Sequence, residues 1–150
     1  MNRLLIAAVL AFSTSVAMAD LTVKEPWVRA TVPQQTATGA FMQITAPKAA
    51  RLVEARSPVA GVVQIHEMSM SDNVMRMREV AGIDLPAGKA VDLKPGGYHV
   101  MLMDLKAPIA EGQVVPLTLV VEHADKKREN IEIKATARPL GATGDMPHKH

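Results

Sequence analysis

The chain has 150 residues, with 17 Lys+Arg against 15 Asp+Glu and no cysteine. So near-balanced a charge excludes nucleic acid and an anionic membrane surface as partners, since each needs a clustered basic surface. Without cysteine there is no thiol nucleophile, no thiolate-held zinc, no blue-copper thiolate and no disulfide to support the core.

Met1-Asn2-Arg3 opens the chain with a positive charge, Leu4 to Phe12 is wholly apolar, and Ala17-Met18-Ala19 places small residues where a signal peptidase reads. Residues 1–19 are therefore expected to be a secretory signal peptide cleaved before Asp20, and the protein to be periplasmic. The apolar run is shorter than the ~20 residues of a membrane span. With no cysteine to carry a lipid, no membrane anchor is expected. Removing 19 of 150 residues leaves 131, and the loss of Arg3 leaves 16 basic residues against 15 acidic. That length suits one domain with one core.

The remainder reads as strands separated by turns. The runs are Leu21 to Ala30, Thr38 to Ala46, Arg51 to Ser57, Val62 to Met70, Val74 to Val80, Lys89 to Leu93, Tyr98 to Lys106, Val114 to Glu122 and Asn130 to Arg138. Many alternate apolar with polar residues, as Ile131-Glu132-Ile133-Lys134-Ala135 does, which is the pattern of a half-buried strand. Ala81-Gly82, Pro86-Ala87-Gly88 and Pro95-Gly96-Gly97 mark turns. About nine short strands predict a single-domain, all-β, antiparallel sandwich or barrel over residues 20–139. Pro26, inside the first run, predicts an edge strand or a bulge. Lys126-Lys127-Arg128 reads as a solvated turn, His123 as a solvated histidine, and residues 140–150 as a flexible tail.

The chemistry lies in a window from residue 66 to 103. It holds His66, Met68, Met70, Met75, Met77, His99, Met101 and Met103, in a chain with only two Phe. Residues two apart on a strand share a face, so His66, Met68 and Met70 align, as do Met75 with Met77, and His99 with Met101 and Met103. A tight turn at Asp72-Asn73 would pair residue 71 with 74, 70 with 75, 68 with 77 and 66 with 79. His66 and Met77 then become diagonal neighbours able to share an ion. Methionine is also a common core filler, and Met42, Met70, Met75 and Met103 fit that role. Packing alone does not account for the whole set.

Thioether sulfur is soft and neutral and selects Cu(I), and imidazole suits copper as well. Zinc prefers His, Cys and carboxylate ligands. The histidines of this window, with the methionines on their faces, are thus candidate Cu(I) donors. Their spacing is His66, ten residues, Met77, twenty-one residues, His99, one residue, Met101. With His66-Glu67-Met68, Val74-Met75-Arg76-Met77 and Lys94-Pro95-Gly96-Gly97-Tyr98-His99, the chain resembles the periplasmic PCuAC-type copper chaperones from about Trp27 to Pro139. The resemblance implies a cupredoxin-like β-barrel with a Cu(I) site near the surface, held by His66, Met77, His99 and Met101 with Met68 as an auxiliary donor. It also implies delivery of copper for cytochrome oxidase assembly, beside a Sco-type thioredoxin-like copper protein and the copper subunit of the oxidase.

Met146, His148 and His150 form a second, auxiliary candidate set, suited to Cu(II) through imidazole. No nucleophile–base motif appears, so an enzyme is not expected. The chain is expected to be a monomer. Copper storage or detoxification is the alternative to delivery, and a sandwich-type interaction module with a Met-rich core is the plainest reading.

Overall fold

The computed structural model describes residues 21–139 and Gly141. The signal-peptide and tail expectations, with Met146, His148 and His150, lie outside the described residues. Ten strands follow in chain order: β1 (Thr22–Arg29), β2 (Ala37–Thr45), β3 (Ala50–Arg56), β4 (Ala60–Ser71), β5 (Val74–Glu79), β6 (Ile83–Leu85), β7 (Ala90–Leu93), β8 (Tyr98–Leu105), β9 (Val114–His123) and β10 (Arg128–Arg138). They form one sheet in the order β5-β4-β8-β2-β1-β10-β9-β3-β6, with β7 added on β2.

The sheet folds over on itself, and its inward-facing residues meet in one core. Val28, Ile44, Leu52, Ile65, Leu85, Val100, Leu102, Val115, Leu117, Leu119 and Val121 all belong to it. Alternation is the cause. In β9, Val115, Leu117, Leu119 and Val121 point inward at period two, and in β8 Val100 and Leu102 do the same. Residues of the opposite parity in β4 and β8, His66 and His99 included, therefore lie on the other face.

Two expectations change, and one of the two alternatives for Pro26 is met. The chain has a tenth strand, β6, because Ile83 and Leu85 are both buried around exposed Asp84, too short a run for alternation to reveal. The sheet is mixed rather than antiparallel, since β1 pairs β10 in parallel through Trp27↔Thr136, Val28↔Ala137 and Arg29↔Arg138. Alternation sets which face a strand buries but not the direction of its neighbour. Pro26 marks a bulge and not an edge: β1 lies between β2 and β10, and its register shifts between Lys24 and Trp27. Glu25 takes φ 50° there. The extra residue reverses the parity of β1 and turns Trp27 toward the same face as Phe41, its partner on β2.

Strand β2 carries two partners along one side. Residues 42–45 pair β7 and residues 37–40 pair β8. Between them the chain leaves the sheet through Lys94-Pro95-Gly96-Gly97, where Gly97 N donates to Lys94 O (3.0 Å) and Gly96 holds φ 87°. That excursion brings Gly97 O to the backbone N of Met68 (3.1 Å) on β4.

Candidate metal centre

The β4–β5 hairpin forms in the register expected from its turn. Asp72 and Asn73 have φ 51° and 60°, both left-handed, as a two-residue type I′ turn requires. The pairs are Ser71↔Val74, Met70↔Met75, Met68↔Met77 and His66↔Glu79. On its other side β4 pairs β8, with His66 opposite His99 and Gln64 opposite Met101. One face thus carries Met77 on β5, Met68 and His66 on β4, and His99 and Met101 on β8. The His66 and His99 rings lie 5.7 Å apart, edge to face.

Both histidines are buried, at 9% and 4% exposure, whereas Met77 is 48% exposed. Met68, Met77, His99 and Met101 line one open cleft of about 260 Å³ with Arg29, Phe41, Pro95 and Gly96. His66 sits beside it, against His99. Of the sequence candidates, His66, Met68, Met77, His99 and Met101 therefore come together. Met42 is a core residue, as expected. Met70 and Met75 are not: they are 68% and 45% exposed, because the hairpin runs out beyond the body of the sheet. Met103 lies outside the core cluster too, on the same face of β8 as Met101, and is half-buried. His123 is more than solvated: its Nε2 lies 2.8 Å from Glu129 Oε2.

Hydrogen bonds set the ring tautomers. His66 Nε2–H donates to Gln64 Oε1 at 2.8 Å, which leaves Nδ1 as the lone-pair nitrogen. That Nδ1 is buried and has no hydrogen-bond partner among the described residues, an arrangement native structures avoid unless the group has another use. His99 Nδ1–H donates to Gly97 O at 3.3 Å, leaving Nε2 as its lone-pair nitrogen. Gln64 was not singled out from the sequence, and Gly97 was marked there only as a turn residue. Gln64 was within reach of the period-two rule, standing two residues before His66.

The aromatic support was not legible in the sequence. Trp27 and Phe41 are 4% exposed, with ring centroids 4.6 Å apart, and Phe41 lies 6.1 Å from His99. Arg29 covers the Phe41 ring at 5.6 Å and Arg138 the Trp27 ring at 5.0 Å, so both rings are capped by guanidinium groups. Gly39, opposite Met101, has no room for a side chain: a Cβ there would meet Phe41 Cζ at 2.8 Å.

Burial lowers the pKa of His99. The Gly97 hydrogen bond opposes that shift, while the charges of His66 and Arg29 add to it. The ring thus stays neutral to lower pH than a free imidazole, whose pKa is ~6.5. The unfolded chain takes up this proton first. Stability from a neutral His99 is therefore complete above the ordinary imidazole range and is lost as pH falls through the folded-state pKa. An NMR titration of the apo protein should place the His99 transition below that range. A transition at or above it would contradict the burial.

Among the described residues no three His, Cys, Asp or Glu side chains converge, so hard cations have no ready site. Two imidazoles flanked by thioethers form instead a donor set suited to a soft ion.

The described residues form a cupredoxin-like domain of the PCuAC type, with this cleft on one face. The chain belongs to the LpqE-like family, whose model, described as "Putative lipoprotein LpqE-like", matches residues 21–133. Protein Lxx21020 of Leifsonia xyli subsp. xyli is 38% identical over 98 residues. That match covers 65% of this chain and 59% of the relative, so the chain spans under two thirds of that protein's length. The copper-bound PCuAC domain from PmoF2 superposes with a TM-score of 0.65 at 26% identity, covering 82% of this chain and 96% of that one. The solution structure of CuI-DR1885 from Deinococcus radiodurans gives 0.57 at 25% identity, over 89% of this chain and 85% of that one. Among the described residues no helix is long and apolar enough to cross a membrane.

Proposed function

We propose that the protein is a periplasmic copper carrier that holds one Cu(I) through His66, Met77, His99 and Met101, with Met68 as an auxiliary donor. The observation that carries this reading is the buried Nδ1 of His66, without a hydrogen-bond partner among the described residues, on a ring paired with His99 beside a methionine-lined cleft. Copper in the PmoF2 domain and in DR1885 supports it. The thioethers need no deprotonation and each imidazole offers a ring-nitrogen lone pair, so the ion keeps its oxidation state on binding and release. Cu(I) prefers the thioethers, which disfavours cycling to Cu(II). The role is therefore carriage rather than catalysis. An open cleft with an exposed Met77 suits ligand exchange with an acceptor. The proposed acceptors are a Sco-type thioredoxin-like copper protein and the copper subunit of cytochrome oxidase.

X-ray absorption of the anaerobically loaded mature protein should show one copper per chain, with both sulfur and nitrogen neighbours. A shell of oxygen and nitrogen alone would refute the site. The tail is proposed as a separate Cu(II) arm through His148 and His150, with Met146. Deleting residues 146–150 should leave Cu(I) affinity nearly intact and weaken Cu(II) binding in parallel titrations. Equal Cu(II) binding by both forms would show the tail to be inert.

A further inference from the structure

The hairpin tip carries two methionines that the four-ligand site does not use. Met70 and Met75 are directly paired across the strands and are among the exposed large apolar residues. Strand β5 is exposed along its whole length, so packing does not explain them. Scattered surface apolar residues are ordinary, but these two extend a pattern. A two-residue type I′ turn makes Ser71↔Val74 the hydrogen-bonded pair. Pairs alternate along an antiparallel ladder, so Met70↔Met75 and Met68↔Met77 are both non-hydrogen-bonded. Those are the positions where Cα atoms come within ~4.5 Å and side chains lie closest. Two rungs of paired thioethers therefore stack on one face, ~7 Å apart along the strand. The inner rung borders the cleft and the outer rung faces solvent. The opposite face of the hairpin bears Ser69, Arg76 and the Glu67–Arg78 ion pair (2.9 Å), so the thioethers are confined to the side that holds the histidines.

We propose that Met70 and Met75 form an outer exchange pair for Cu(I), the first donors to meet an incoming ion and the last to leave an outgoing one. This rests on the reading of the inner site as a Cu(I) site. In the capture step, bonds from copper to the two outer sulfurs form as the delivering ligand's bond breaks. Bonds to Met77 and then to the imidazoles replace them as the ion moves inward. Copper remains Cu(I) throughout, because exchange of one thioether or imidazole donor for another transfers no electron. A pair of thioethers alone binds more weakly than the mixed nitrogen–sulfur site, so the ion rests inside and the outer pair acts on rate.

The test uses the full mature protein with methyl-labelled methionine and silver(I) as a redox-inert stand-in for Cu(I). The first equivalent should move the methyl signals of Met77 and Met101 and the ring signals of His99, and further silver should move those of Met70 and Met75. In the Met70→Leu/Met75→Leu variant, Cu(I) affinity by equilibrium competition should match the parent. The rate of Cu(I) transfer to a chromogenic chelator should fall roughly tenfold, equivalent to about 1.4 kcal/mol of barrier. Both positions are exposed, and Leu keeps the apolar volume, so folding should be preserved. Unmoved Met70 and Met75 signals, or transfer at the parent's rate, would overturn the outer pair while leaving the inner site standing. A parent whose first equivalent leaves Met77, Met101 and His99 unmoved would overturn both.

Discussion

Replacing Met77 or Met101 with leucine should lower Cu(I) affinity at least ~100-fold. Loss of a group that merely orients a ligand already costs 10–100-fold, and here the bond itself is removed. Leucine matches the apolar volume of methionine but has no sulfur lone pair. The apo protein should therefore lose less than ~1.5 kcal/mol of stability, as volume-conserving swaps do. That split between affinity and stability distinguishes a ligand from a core filler. Met42→Leu and Met103→Leu are the controls: Met42 packs in the core and Met103 pairs with Ala37 and Val62, so both should bind copper nearly normally. Met68 stands directly opposite Met77 and is the nearest substitute for it. The Met68→Leu/Met77→Leu variant should accordingly bind more weakly than Met77→Leu alone. His66→Ala and His99→Ala should behave as ligand losses, with some added disturbance of packing. Competition with a chromogenic Cu(I) chelator reports the affinities and thermal melts report the folding effect. Parent-like binding by both single leucine variants would hand the methionines back to packing.

The largest effect on stability is expected from Phe41→Ala, about 3–5 kcal/mol for deleting a buried aromatic ring. Domains of this kind have only ~5–15 kcal/mol in total. Phe41 is buried between Trp27 and His99 and occupies the space above Gly39. Its removal strips contacts from Trp27 and lets water reach His99. Phe41→Leu should recover much of the loss, because leucine refills part of the volume. Denaturant unfolding of apo protein measures both. A loss under ~1 kcal/mol for Phe41→Ala would mean that the ring is not the packed floor described here.

The expected strands matched the observed ones closely where alternation is long, as in β8, β9 and β10, because burial on one face forces period two. The hairpin was the most legible part of the site. Asp72-Asn73 tolerates the left-handed conformations a two-residue turn needs, and that turn alone sets the pairing of residues 66–79. Sequence reasoning failed with Met70, Met75 and Met103 because methionine suits a core and a metal site equally. Only the course of the sheet shows that none of them joins the core cluster.

The sequence by itself determined the soft, cysteine-free donor set. It determined that His66 shares a strand face with Met68, and His99 with Met101, since strand parity is local. It also determined the turn that joins Met77 to them. Only the tertiary structure decided that β4 lies beside β8, which puts His66 opposite His99 across 32 intervening residues, and that β1 runs parallel to β10. It likewise decided that Gln64 and Gly97 orient the imidazoles and that Trp27 and Phe41 support them. The reason is one of range. Backbone geometry fixes the alternation of neighbours along a strand, whereas the choice of partner strand depends on how the whole chain buries its apolar faces together.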